Sequence, residues 1–361
     1  MARAFHGQQV FKGRGATSNL AGRFEKNAVE KISDGWYEEE SSTHLEETVS
    51  PDSARTVITT NDSPDVGFDL SINPYRGCSH ACIYCFARPS HSYLGLSPGL
   101  DFETKLFYKA DAARLLEEEL AKPRYICKPI ALGINTDGYQ PLEKRLGVTR
   151  SILEVLVRYR HPVTIVTKSA LVLRDIALLA DLATDDLISV ALSVTSLSDD
   201  LKRVLEPRTA SPAARLRVIQ ELARAGIPVG VMVAPVIPAI TDHEMEAILQ
   251  AAHSAGASFA GYTLLRLPHE VKLLFRDWLA AHYPDRAMHV MSLINQVRGG
   301  KDYDSRFGIR MRGTGPYAEL LQKRFEIASR KLGFSDSEER RHLNTQAFRP
   351  PGRGGQMTLE L

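Results

Sequence analysis

A chain of 361 residues with 43% apolar and 24% charged side chains has the balance of a globular protein that buries a substantial core. Its 45 basic and 43 acidic side chains nearly cancel at +2, which excludes a polybasic chain while leaving room for a local basic face. No run reaches the roughly 18 uninterrupted apolar residues of a membrane span, and the first fifteen residues lack an apolar signal stretch, so the expectation is a cytoplasmic protein with no membrane contact. Only four cysteines are present and three fall between 78 and 85. A disulfide framework would spread them out, so a metal or redox role in a reducing compartment fits better.

In chain order, residues 1–65 are polar and weakly patterned and read as a partly disordered extension, with short ordered pieces at 19–25 and 36–37. From Val66 onward apolar runs alternate with stretches of helical period. Strands are expected at 68–74, 129–135, 163–168, 187–194, 229–236 and 259–265. Helices are expected at 110–121, 148–159, 173–183, 213–225, 242–255 and 269–282. Leu216, Ile219, Leu222 and Ala223 mark the helical spacing in the fourth, which Gly226 stops. Thr241 or Asp242 is expected to cap the fifth. Such alternation calls for a parallel sheet with right-handed crossovers. Six units fall short of a closed eight-fold barrel, so the fold class is α/β, a partial (β/α)6 TIM-like barrel over 66–287. Residues 288–334 read as a flanking segment with basic, glycine-containing loops and a helix at 317–332, and 335–361 as a flexible tail.

The chemistry concentrates in Asn73-Pro74-Tyr75-Arg76-Gly77-Cys78-Ser79-His80-Ala81-Cys82-Ile83-Tyr84-Cys85. Cysteines spaced C-x3-C-x2-C on one loop converge on one metal centre, and thiolates are the preferred ligands of iron–sulfur clusters. Three thiolates on a four-iron cube leave one iron open to a small molecule. The loop also follows the first core strand, on the rim where parallel barrels build their sites. The alternative is zinc held by the three cysteines and His80 or His91.

C-x3-C-x-aromatic-C after the first strand resembles the signature of the radical S-adenosylmethionine (SAM) superfamily. That resemblance implies a [4Fe–4S] cluster on Cys78, Cys82 and Cys85, with SAM chelated at the open iron. Reductive cleavage of SAM then yields a 5′-deoxyadenosyl radical that abstracts hydrogen, with electrons from a donor such as flavodoxin or ferredoxin. Tyr84 takes the aromatic position against the adenine. Over 66–268 the chain is most similar to the branch containing spore photoproduct lyase and the DNA repair photolyase-like proteins. Lys168 and Ser193, at the third and fourth strand ends, suit the SAM carboxylate. Thr136 and Asp137 are placed for the methionine ammonium or the ribose, and Ile237 closes the apolar end of the fifth strand, which either supports the adenine or is plain barrel core. Arg208 is a candidate for the cofactor, the substrate or a helix-start ion pair.

The lyase is expected to carry a hydrogen-donating cysteine after the second strand, where this chain has Asn135 and Thr136. Cys127 lies at the far end of that strand, about 26 Å away, and reads as a core residue. Tyr139 is the substitute hydrogen donor by default. Arg298, Lys301, Arg306, Arg310 and Arg312, interleaved with Tyr303 and Phe307, have a composition that follows phosphates and stacks bases, or that of a solvated loop. The final Gln356-Met357-Thr358-Leu359-Glu360-Leu361 resembles peptides that bind the bacterial sliding clamp. The function expected is a radical SAM enzyme acting on damaged or modified nucleic acid. The alternatives are a modifier of RNA, peptide or metabolite, and a non-catalytic iron–sulfur protein.

Overall fold

The computed structural model describes residues 10–24, 45–335 and 343–350. Its strands are β1 (Thr48–Pro51), β2 (Ile58–Thr60), β3 (Leu70–Ile72), β4 (Tyr75–Arg76), β5 (Lys105–Tyr108), β6 (Ile130–Leu132), β7 (Val163–Thr167), β8 (Ile188–Ser193), β9 (Val229–Val236) and β10 (Phe259–Leu264). Its helices are α1 (Leu100–Thr104), α2 (Ala112–Leu120), α3 (Glu143–Leu146), α4 (Val148–Arg158), α5 (Ile176–Ala183), α6 (Asp199–Leu205), α7 (Pro212–Arg224), α8 (Met245–Ser254), α9 (Val271–His282), α10 (Ala287–Val297) and α11 (Pro316–Leu332). No helix among the described residues is long and apolar enough to cross a membrane.

The six expected strands are β3, β6, β7, β8, β9 and β10, side by side and parallel, with β2 added antiparallel at the β3 edge. Helices α2, α4, α5, α7 and α8 make the crossovers. Thr59 of β2 and Gly261 of β10, from opposite edges, line one cleft, so the sheet is curled; among the described residues these edge strands do not pair. Alternation on β7 shows the geometry: Val163, Ile165 and Thr167 are buried, while Thr164 and Val166 are partly exposed and line the cleft.

Local signals set the element ends. Ser211 caps α7, its hydroxyl accepting from Ala214 N at 3.2 Å, with Pro212 following. Gly226 ends the helix at φ +74°, and Ile227 N bonds back to Leu222 O at 3.0 Å. The cap expected for the next helix is not there. Residues Asp242–Glu244 form a 3-10 turn before α8. Thr241 Oγ1 instead accepts from Ile237 N at 2.8 Å, and Asp242 accepts from the Tyr317 hydroxyl at 2.5 Å. Tertiary partners outcompete the local cap.

Both terminal extensions contain placed segments. Within 1–65, β1 joins β5 and β4 in a second, three-stranded sheet and β2 extends the main one. These are short, mostly exposed edge strands, which carry no alternating apolar pattern to read. Within the expected tail, Asn344 N bonds Asp186 O at 3.0 Å, Arg349 N bonds Tyr159 O at 2.9 Å, and Phe348 packs on Tyr125, Tyr159 and His161. Trp36, Tyr37 and the clamp-like Gln356 to Leu361 lie outside the described residues.

Candidate active site: three thiols on a loop at the strand ends

Residues 77–85 are held by the rest of the molecule more than by themselves. Gly77 stands at φ +74°, and a Cβ there would lie 2.9 Å from Phe102 O, so only glycine fits. Cys78 N donates to Phe102 O at 2.9 Å. Gln140 bridges the turn, accepting from Ser79 N at 2.9 Å and donating to Gly77 O at 3.2 Å. Arg88 donates twice to Cys82 O, at 3.0 and 2.8 Å, and pairs with buried Glu103 at 2.5 Å.

This frame turns Cys78, Cys82 and Cys85 onto one wall of a cleft of about 730 Å³. Burial lifts the Cys78 thiol well above its ordinary value, that of Cys82 to about 12, and raises that of Cys85. Such thiols deprotonate only when a metal centre supplies the compensating charge. Among the described residues no three His, Cys, Asp or Glu side chains converge on a single ion, as tetrahedral zinc requires. The histidines considered for zinc are engaged elsewhere. His80 Nδ1 lies 3.4 Å from Asp137, and His91 Nε2 bonds Lys105 O at 2.9 Å. Three thiols set around a roomy cleft fit a cube that takes each on a different iron.

Of the other expected residues, Tyr84, Asp137, Lys168 and Ser193 line the same cleft. Asp137 joins two strand ends, those of β6 and β7: its carboxylate accepts from Thr167 Oγ1, Lys168 N and Tyr139 N, each at 2.8 Å. Lys168 Nζ sits 5.8 Å from the Tyr84 ring centroid.

Three expected residues are elsewhere. Thr136 is buried with its hydroxyl donated to Tyr75 O at 2.8 Å and does not line the cleft. Ile237 is fully buried in the apolar cluster behind the loop, with Ile83 and Trp278; Ala234 and Pro235 line the cleft in its stead. Tyr139 packs in the main core and does not line the cleft, and burial and the Asp175 carboxylate push its phenol well up. Cys127 is only half-buried and does not line the cleft, and burial raises its thiol to about 11. No cysteine follows β6, and Asn135 faces the cleft there. Arg208 pairs with Glu47 away from the cleft.

Sequence reasoning missed the buried ion pair behind Tyr84. The Tyr84 hydroxyl donates to Glu206, Thr195 Oγ1 donates to Glu206 at 2.7 Å, and Arg215 pairs with Glu206 while donating to Ser193 O at 2.9 Å. A signal existed: Arg215 sits at helical spacing with the buried Val218, Ile219 and Leu222 of α7, where a cation needs a partner. The basic loop is also largely committed. Arg298 is buried, donating to Ile309 O at 3.0 Å and Leu265 O at 2.6 Å; Arg306 pairs with Asp304 and Arg310 with Asp65.

Against this geometry stands the comparison with known proteins: the sequence pattern of the radical SAM superfamily matches residues 72–252. The chain belongs to the radical SAM superfamily. The matched span runs from the end of β3 into α8 and includes all three thiols. Radical SAM proteins use a [4Fe–4S] cluster and SAM, cofactors for which the thiol wall and the cleft beside it are suited. An uncharacterized protein of Mycobacterium tuberculosis (strain ATCC 25618 / H37Rv) is 40% identical over 220 residues, 60% of this chain and 65% of the relative. An uncharacterized protein of Methanocaldococcus jannaschii is 31% identical over 181 residues, 49% of this chain and 64% of the relative. This chain therefore spans just under two thirds of the length of these curated relatives. Among solved structures, spore photoproduct lyase complexed with dinucleoside spore photoproduct superposes with a TM-score of 0.56 at 17% identity, covering 79% of this chain and 78% of that one. The likeness is one of fold.

Proposed function

We propose that this radical SAM protein holds its cluster on Cys78, Cys82 and Cys85 and abstracts hydrogen from a damaged or modified nucleic acid. The observation that carries the reading is the convergence of the three thiols with Lys168, Ser193 and Tyr84 on one cleft. A [4Fe–4S] cluster held by these three thiols would, when reduced, supply the electron for cleaving SAM. Lys168 offers an ammonium to the SAM carboxylate and Ser193 a hydroxyl beside it. Tyr84, fixed by Glu206, would offer its ring to the adenine. Asp137 acts on Lys168 through the backbone, holding the strand end that carries it. Phe68, Phe86 and Tyr262 with Arg266 and Arg312 on the same cleft support a substrate with bases to stack and phosphates to neutralise. An external reductant such as flavodoxin or ferredoxin completes the cycle.

The test is anaerobic reconstitution with iron and sulfide, then reduction with SAM and mass-spectrometric detection of 5′-deoxyadenosine. Product should exceed a Cys82→Ala blank by at least about 100-fold, the scale of losing a cofactor ligand's support. Lys168→Ala should keep its iron while weakening the SAM-dependent change in the cluster's EPR spectrum. A reducible cluster that yields no product and whose spectrum ignores SAM would make the protein an iron–sulfur redox protein instead.

A further inference from the structure

The cations on the cleft wall are Lys168, Arg266, Arg310 and Arg312, facing only the carboxylates Asp65 and Asp137. Both carboxylates are already satisfied, Asp65 by Arg310 and by Gly308 N at 2.5 Å, Asp137 by the strand-end donors described above. Lys168 stands over Tyr84, beside the thiols.

Arg266 and Arg312 are different, for neither has a carboxylate partner among the described residues. Arg266 leaves the end of β10 and lies over Phe86, the residue directly after Cys85, with its guanidinium carbon 4.8 Å from the ring centroid. Its Nη1 reaches only the Met311 sulfur at 3.7 Å, and its Nε is enclosed by protein with no hydrogen-bond partner. Arg312 lies on Tyr262, 3.9 Å from the ring centroid. Stacking on a ring fixes each guanidinium plane, a pre-organisation that suits a phosphate. The Arg266 Nε, enclosed without a partner, is unfavourable until one is supplied, and the exposed Arg312 adds a second cation to the same cleft.

We propose that Arg266 and Arg312 form a phosphate subsite that anchors a nucleotide substrate by the phosphodiester next to the unit presented to the thiol loop. Resting on the nucleic-acid reading above, it narrows that reading to a phosphate-anchored substrate. Through Phe86 the anchor is tied to the cluster loop, so it sets how far into the cleft the neighbouring sugar and base extend. The remaining basic residues of the loop do structural work or, like Lys301, lie outside the cleft.

Binding of a dinucleoside monophosphate and of its uncharged methylphosphonate analogue to the reconstituted protein, measured by titration calorimetry, tests the subsite. Wild-type protein should prefer the charged probe by at least about tenfold, the scale of a charge-assisted hydrogen bond. The Arg266→Gln/Arg312→Gln double variant should lose that preference, Arg266→Lys should keep part of it, and Lys301→Gln should keep all of it. Wild-type protein that binds the two probes equally, or binds neither, overturns the subsite whether or not any variant folds. A preference that survives in the double variant overturns it too. Formation of 5′-deoxyadenosine is measured alongside; its absence in wild-type protein together with an EPR spectrum that ignores SAM refutes the radical SAM enzyme reading and leaves the phosphate preference to be read by binding alone.

Discussion

Glu206 sits fully enclosed between Tyr84, Thr195 and Arg215. Burial works against its charged form, yet Arg215 and Lys168 and the hydrogen bonds from Tyr84 and Arg215 bring its carboxyl down to about 2. Its folded value lies below the ordinary 4.5, so the stabilisation is fully present above about pH 4.5 and is lost as pH falls toward 2. Removing one member of a buried pair strands the other charge, so Arg215→Met should lower the unfolding free energy by about 3–5 kcal/mol in denaturant titrations. Glu206→Gln should flatten the acid limb of stability against pH and loosen Tyr84. An unchanged acid limb would show that the pair is not what fails there.

At the scale of elements, the segment around Gly15 is strapped across the cluster loop. Gly15 and Ala16 donate their backbone N–H groups to Glu103 at 3.2 and 2.8 Å, and Glu103 holds Arg88, which in turn holds Cys82 O. A Cβ on Gly15 would lie 2.0 Å from Ala81 O, a backbone atom that cannot yield. Gly15→Val should therefore lift the strap, leaving Glu103 and Arg88 to each other and the loop less shielded. The measurable outcome is faster loss of iron on exposure to air, while the far-UV circular dichroism stays native. Equal iron retention would mean that the strap does not protect the loop.

Across the whole molecule, a residue near the far end of the chain is packed onto the start of β7. Phe348 meets His161 edge-on with centroids 5.4 Å apart, and His161 Nε2 bonds the Tyr125 hydroxyl at 2.7 Å. Burial lowers the His161 imidazole to about 4 from 6.5. A depressed folded value means that the unfolded chain takes the proton first, so stability falls as pH drops from 6.5 toward 4. Phe348→Ala should open the imidazole to water and move its NMR titration toward 6.5, shrinking that pH dependence. A midpoint still near 4 would show that Tyr125 and the strand ends alone keep it buried.

The sequence by itself determined the six parallel strands, their crossover helices and the three thiols, because each is written locally. Strands buried behind helices read as apolar runs, the helices keep a 3.6-residue period, and metal ligands on one loop must be close whatever the rest of the chain does. Lys168, Ser193, Asp137 and Tyr84 were legible for the same reason, since strand ends and the loop beside them are rim positions in any such sheet. Only the tertiary structure decided which polar residues turn inward. Thr136, Tyr139 and Ile237 sit within a few residues of the rim, yet the hydroxyl of one serves a carbonyl and the other two are taken by apolar cores. Glu206 with Arg215, Glu103 with Arg88, and Arg266 over Phe86 join elements distant in the chain. A buried or enclosed charge gains its meaning from whatever faces it across the fold, and no local pattern records that partner.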